Sequence, residues 1–455
     1  MKQRLAILGA GESGTGAALL GIAKGWDVFV SEQHVIRDKF REELVRNGIV
    51  FEEGQHSEDK ILNASLVVKS PGIPEKVDIV RKIRSAGIPI VDEIEFAFRY
   101  VHGSRVIAVT GTNGKTTTTL LTWHLLKQGG LDAALAGNVG FSLARQVAQG
   151  INDWYVLEMS SFQLDGIDTF APDIAILLNI TPDHLDRYNY ELANYVASKF
   201  RLIRSMRHEQ HFVYYADDTM IDSEIRKHAV APKKVPVSLG SNADASAIAT
   251  GTTMSFLFGD KQFEIRQEDT TLRGPHNLIN TMAAVSGAVL AGVPVEAIRE
   301  GLRTFVNAPH RLESVGTIKG IEFINDSKAT NVDSVVYALG SFHQPIVWIA
   351  GGIDKGNDYH IIKAEVRKKV KTLICLGKDN SKLKDAFDGV VPKVMETQNV
   401  KELVRMALEA AASGDVVLLS PACASFDLFK NYEDRGDQFR SAVKELKEEI
   451  EKQPI

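Results

Sequence analysis

The stretch VTGTNGKTTTT, residues 109–119, places a lysine and four threonines behind two glycines, and those residue types suit a phosphate cradle. Backbone N–H groups of residues 112–117, among them Thr112, Asn113 and Thr117, would form an anion nest at a helix start. Lys115 would reach terminal phosphates, and Thr116 would hold Mg2+ through its hydroxyl. The common loop spacing asks for glycine where Val109 stands, and here the glycine is Gly111. The strict pattern fails while its chemical parts, Gly111, Gly114, Lys115 and Thr116, survive. A plain glycine turn capped by threonines is the alternative.

A second glycine pattern lies at the N-terminus, where Gly9, Gly11 and Gly14 follow an apolar run and Glu32 ends the next one. That spacing fits a dinucleotide, another nucleotide diphosphate, or a tight turn with no ligand. Acidic candidates stand at two further strand ends. Glu158 closes the strand in YVLEMSSFQLD, and Asp183, His184 and Asp186 lie in the loop of ILLNITPDHLDRYN. Hard Mg2+ accepts carboxylate oxygen readily and imidazole less often. Lys199, fifteen residues after His184, has by spacing alone the character of a solvated helix charge.

The elements that must hold these groups alternate short β-branched runs with helical stretches, which predicts parallel α/β sheets. Fresh strand–turn–helix series begin at RLAILGAGESG, at RVIAVTGTNGK and after NAPHRLE. At 455 residues the chain exceeds one core. The expectation is three domains: residues 1–100 Rossmann-like, 101–308 like a phosphate-loop ATPase with a mostly parallel sheet, and 309–455 Rossmann-like. The net charge of −5, from 53 basic and 58 acidic residues, gives no reason to expect a nucleic-acid partner. Cys375 and Cys423, the two cysteines, sit in apolar strand-like runs and fit a reducing compartment. No apolar run approaches the ~20 residues of a membrane span, and the chain opens on a strand, so a cytoplasmic location is expected.

The set GTNGKTT, LEMSSFQLD, NITPDHLDRY with its lysine fifteen residues on, GPHNLINTMAA, NAPHRLE, NDSKATN and SPACASFDLFKNYEDRGDQF resembles the Mur ligase family. These are ATP-dependent amide ligases of peptidoglycan and hence cell-wall synthesis. LEMSSFQLD and PACASFDLFKNYEDRGDQF point to the member that adds D-glutamate to UDP-N-acetylmuramoyl-L-alanine. NDSKATN and the phosphate loop are shared more widely, including with folylpolyglutamate synthases, which lack the N-terminal glycine-rich domain.

The resemblance implies roles residue by residue. Gly9, Gly11, Ser13, Gly14 and Thr15 would face a uridine diphosphate rather than NAD, with Ser70 and Gly72 of SPGI as the opposite wall. The family often places an acid straight after the second strand to meet uracil, whereas here Ser31 precedes Glu32. Asn138, Ser160 and Gln163 would hold the muramoyl-alanine arm. ATP would meet residues 111–117, Asn277, Asn280, Arg311 and Asp326. Two Mg2+ ions would be served by Thr116, Glu158, His184 and a carbamate on Lys199. Lys328, Thr330, Lys355, Ser425, Phe426 and Tyr432 would take D-glutamate. Lys115, His184, Lys199 and Asp183 are the implied catalytic set, with His184 and Asp183 both open as the base for the amine. A monomer is expected, with the third domain closing on the second before chemistry. An oxidoreductase reading would leave Lys115 and Thr116 without a role.

Overall fold

Burying the apolar runs of an alternating α/β sequence requires sheets covered by helices on both faces. In the computed structural model, which describes residues 3–240, 242 and 244–452, twenty strands form three such sheets. The first contains β1 (Arg4–Leu8), β2 (Asp27–Glu32), β3 (Val50–Glu53), β4 (Leu66–Lys69) and β5 (Ile90–Val91), in the order β3-β2-β1-β4-β5 and wholly parallel. Chain order reverses at β1, so a crevice opens beyond the C-terminal ends of β1 and β4.

The second sheet contains β6 (Arg105–Thr110), β7 (Ala133–Gly137), β8 (Trp154–Glu158), β9 (Ile174–Leu177), β10 (His211–Tyr215), β11 (Lys233–Ser238), β12 (Ala247–Thr250), β13 (Thr253–Phe258) and β14 (Lys261–Arg266). Its order is β14-β13-β12-β11-β10-β9-β6-β8-β7. β13 runs antiparallel to both its neighbours, at one edge of this mostly parallel sheet. The reason is local: Gly251 and Gly259 take positive φ, so two tight turns replace helical crossovers.

The third sheet contains β15 (Glu313–Ile318), β16 (Ile321–Asn325), β17 (Ile346–Ala350), β18 (Val370–Leu376), β19 (Lys393–Thr397) and β20 (Val416–Leu419), ordered β15-β16-β20-β17-β18-β19. Only β15 is antiparallel, paired with β16. Cys375 lies in β18, whereas Cys423 lies beyond the end of β20 in a loop; both are buried free thiols.

The first two sheets belong to one compact unit and the third to another, which begins at Val306 and includes Leu272–Asn277. Within the first unit a single hydrophobic cluster runs from Leu5 and Val30 to Leu157, Leu177 and Phe212. Three buried acids in the connection between its sheets are held by backbone donors. Glu95 accepts N–H bonds from Asp168 (2.9 Å) and Phe170 (2.9 Å), Glu93 accepts from Ala144 (2.5 Å), and Asp92 caps the helix Glu93–Phe98 through Ile94 N–H (2.9 Å). No helix of the described residues is long and apolar enough to cross a membrane.

Burial pushes the Asp92 carboxyl up to about 7, and burial with Asp92 beside it raises Glu93 as well. A group whose folded pKa is raised binds protons that the unfolded chain has lost, so its contribution falls as pH rises. Wild-type stability is therefore expected to decline between pH about 4 and 7, and Asp92→Asn to flatten that slope. Urea unfolding across this range checks it; parallel slopes in both proteins would refute the assignment.

Candidate functional site

Three loop clusters lie at the C-terminal ends of the three sheets, two in the first unit and one in the second. In the first sheet, the turn after β1 meets the segment after β4. Gly9 has φ +95°, and a Cβ there would lie 2.4 Å from Ser70 Oγ, so glycine is required for the two walls to touch. Gly11 precedes the helix Glu12–Ala23 and accepts Thr15 N–H at 2.9 Å; this helix carries Ser13, Gly14 and buried Thr15. Glu32 folds back onto the turn and accepts the N–H groups of Ala10 (2.9 Å) and His34 (3.0 Å). Ser31 is buried, with Oγ 2.7 Å from both Glu52 Oε1 and His56 Nδ1. Gly72 offers its carbonyl to Arg187 at 3.4 Å.

In the second sheet, β6 delivers the chain into residues 111–114, and the helix Lys115–Gln128 follows. Gly114 has φ +83°, and a Cβ there would come within 2.3 Å of Asn280 Oδ1. Neighbouring loops clamp the turn. Asn113 N–H donates to Asn179 Oδ1 (2.8 Å), Asn179 Nδ2 returns a bond to Asn113 O (3.1 Å), and Thr112 Oγ1 accepts Thr181 N–H (3.0 Å). Lys115 Nζ donates to the carbonyls of Gly111 (2.9 Å) and Thr112 (2.6 Å), which places its charge over the turn. Thr116 and Thr117 are buried in the first helical turn.

Lys199 overturns the solvated-charge alternative. It sits on the helix Leu192–Arg204, is 1% exposed, and donates to Thr110 Oγ1 (3.1 Å) and Gly111 O (2.9 Å). Burial drives its pKa well below the ordinary lysine value and the Lys115 charge pushes the same way, while Asp183, Glu158 and Asp165 oppose more weakly. Burial beside the turn at 111–114 thus favours the neutral form of this amine over the cation.

Glu158 closes β8, is 2% exposed, and accepts Asn138 Nδ2 at 2.7 Å. His184, at φ +52°, is half exposed; its ring lies 5.1 Å from that of Phe162 and its Nε2 lies 3.6 Å from Asp183. Ser160 and Gln163 form a capping box at the helix Ser161–Asp165, so their polar atoms also have a local structural duty. Asn280, on the helix Pro275–Leu290, is buried.

Among the described residues no three His, Cys, Asp or Glu side chains cluster as a metal site. The donors present, Thr116 hydroxyl, Glu158 carboxylate and His184 imidazole, do not make an all-protein cage. They fit Mg2+, which keeps waters and takes most of its oxygens from substrate phosphates.

In the second unit, loops after β16, β17 and β20 converge. Asp326 accepts Ser420 Oγ (2.9 Å) and Leu312 N–H (3.3 Å), and burial lifts it to about 7 against Arg311 nearby. Asn277 is buried and donates Nδ2 to Arg273 O at 2.8 Å. Lys328 Nζ stands 5.4 Å over the Tyr432 ring, and Thr330 is partly exposed on the same loop. Lys355 is exposed, Ser425 is buried, and Phe426 is 67% exposed. Sequence reasoning missed Asn179, Thr181, Tyr195 and Arg435. The first two lie inside the quoted NITPDHLDRY, but nothing in their spacing marks them as clamps.

Residues 4–79 match the family signature described as the MurD N-terminal domain, 109–288 the Mur ligase middle domain, and 310–423 the Mur ligase glutamate ligase domain. The chain is 53% identical over 98% of its length to all of the UDP-N-acetylmuramoylalanine--D-glutamate ligase of Cytophaga hutchinsonii. It is 38% identical, over 98% of each chain, to the enzyme of that name from Salinibacter ruber. Among solved structures, the Thermotoga maritima MurF ligase in complex with ADP superposes with TM-score 0.63 over 99% of both chains at 14% identity. UDP-N-acetylmuramate-alanine ligase MurC of that organism gives 0.62 over 98% of this chain and 100% of its own at 19% identity. At those identities the likeness is one of fold.

Gly114→Ala is expected to cost about 1–3 kcal/mol of stability, from both the positive φ and the clash with Asn280. Adding Asn280→Ala should return the steric part and leave the conformational part. Chemical denaturation of both variants measures the split; equal losses would show that the contact is irrelevant.

Proposed function

Because the chain belongs to the Mur ligase family, and is an ATP-dependent ligase joining D-glutamate to UDP-N-acetylmuramoyl-L-alanine in peptidoglycan synthesis, we propose that the three loop clusters divide its reaction among them. The observation that carries the reading is the buried Lys199 amine bonded to the carbonyl of Gly111, where burial disfavours its charged form. A binding turn needs no such group.

The crevice of the first sheet, with Gly9, Gly11, Ser13, Gly14, Thr15, Ser70 and Gly72, takes the uridine diphosphate. Asn138, Ser160 and Gln163 orient the muramoyl-alanine arm. Backbone N–H groups of residues 111–117 cradle the ATP phosphates, and Lys115 swings from its loop carbonyls to the transferring phosphoryl group. Asn277, Asn280, Arg311 and Asp326 complete the nucleotide site. The substrate carboxylate attacks the γ-phosphorus, ADP leaves, and the amine of D-glutamate displaces phosphate from the resulting acyl phosphate. His184 and Asp183 stand within reach of each other as the pair that removes the amine proton. Lys328, Thr330, Lys355, Ser425, Phe426 and Tyr432 hold the amino acid, since a dicarboxylate needs cations and hydroxyl donors at both ends.

Two Mg2+ ions, held by Thr116, Glu158, His184 and a carbamate on Lys199, would neutralise charge on the phosphoryl group. Burial, which disfavours the ammonium form of Lys199, supports the carbamate: the amine's electron pair adds CO2, a proton is released to solvent, and the resulting anion suits a metal cluster. The enzyme is proposed to act as a monomer, and two buried free thiols support the cytoplasm. The proposed divisions are 1–100, 101–308 and 309–455.

Phosphate release with ATP, Mg2+ and UDP-N-acetylmuramoyl-L-alanine is expected with D-glutamate and not with L-glutamate, meso-diaminopimelate or no amine. Release with a different amine would change the acceptor, and none at all would remove the catalytic reading. A carbamate signal from 13C-bicarbonate is expected in the carbon NMR spectrum and absent in Lys199→Ala. It should fade as pH drops through the lowered pKa of Lys199, because protonation removes the electron pair; an unchanged spectrum across pH would exclude the carbamate.

A further inference from the structure

Arg435 lies in the quoted RGDQF, on the helix Tyr432–Glu451, and no role above uses it. It is among the largest fully buried side chains, 1% exposed. Its guanidinium is spent on three separate loops. Nε donates to Ser327 Oγ (2.9 Å), Nη2 to Ser327 O (2.8 Å), and Nη1 to the carbonyls of Gly351 (3.3 Å) and Cys423 (3.2 Å). Ser327 Oγ in turn donates to Tyr432 O at 2.8 Å.

Each acceptor borders a segment assigned to the amino acid. Ser327 precedes Lys328 and Thr330, Gly351 leads to Lys355, and Cys423 leads to Ser425 and Phe426. The last two loops are also paired with each other, through Ile353 N–H to Ala424 O (2.8 Å) and Ala424 N–H to Ile353 O (3.1 Å). No other side chain described above touches all three.

Among the described residues Arg435 makes no ion pair, an expensive state for a buried charge. Burial lowers its pKa only to about 10, with Cys423, Asp427 and Asp326 acting on it through space, so it stays a cation at neutral pH. A core needing only glue would be served by a neutral donor. A planar guanidinium gives both the fork of donors and an unspent positive charge.

We propose that Arg435 is a positioning residue for the amino-acid acceptor. It sets the spacing of the three loops and keeps a buried positive charge behind a pocket for a dicarboxylate. This rests on the assignment of that pocket to the third sheet.

The test is steady-state kinetics of Arg435→Lys, with KM determined separately for D-glutamate and ATP, and with the ADP burst formed in the absence of D-glutamate. The KM for D-glutamate is expected to rise by about tenfold or more, while the KM for ATP stays within about twofold and the burst persists. Ser327→Ala, which removes one acceptor and keeps the charge, is the milder variant should Arg435→Lys fail to fold; it should raise the same KM by about threefold. Equal changes in both KM values, or wild-type values in the variant that folds, would overturn the proposal. Lys355→Ala and Ser425→Ala run alongside: if neither raises the KM for D-glutamate, the pocket assignment fails rather than the role of Arg435.

Discussion

The bond from Lys199 to Gly111 is the contact on which the turn at 111–114 depends. A lysine held at 1% exposure cannot keep its charge cheaply, and the nearby Lys115 makes protonation costlier still. That cost falls directly beside the turn that would hold ATP. Everything around it is arranged to keep the turn in one conformation. Asn179 holds Asn113 from both sides, Thr181 and Tyr195 reach Thr112, and Gly114 leaves room for Asn280. The amine is thus a strut of the loop as well as a group whose charged form burial disfavours.

A second constraint is the joining of the first two sheets within their shared unit. Arg145, 6% exposed, lies between the carboxylates of Glu12 and Glu43, with Nε 2.7 Å from Glu12 and the contacts to Glu43 closer still or near 3.0 Å. Burial alone would raise Glu12, yet its bonds from Arg145 and Ser142 hold it below the usual carboxylate range. Glu93 and Glu95 reach across from the connecting helix to backbone donors around Ala144 and Phe170. Such buried polar ties are geometrically exacting, and they fix where the turn after β1 lies relative to the turn after β6. A substrate with a long diphosphate-sugar arm needs that distance held.

Much of this was legible in the sequence. Strand–turn–helix series at residues 4, 105 and 321 are marked by β-branched runs and glycines, and each lies where a parallel sheet begins. The turn over β12–β14 was not, because short strands joined by glycine turns carry the same local pattern as parallel ones. Glu32 shows another limit. Its position at the end of the second apolar run did not reveal that it folds back to accept the N–H of Ala10, a backbone donor that is costly to leave unpaired.

The sequence by itself marked candidates for phosphate and metal chemistry, because residue type and strand-end position are local properties, whereas the dicarboxylate candidates came only from the family resemblance. It determined the family likewise, through motifs kept in order along the chain. Only the tertiary structure decided what Lys199 and Arg435 are. Both sit on helices where a charged residue ordinarily faces water, and no spacing separates a solvated cation from a buried one. Burial depends on what other parts of the chain bring: the phosphate loop eighty-eight positions earlier for Lys199, and three loops from three strands for Arg435. Desolvation then acts on each, pushing the pKa of Lys199 well below the ordinary lysine value and that of Arg435 down only to about 10.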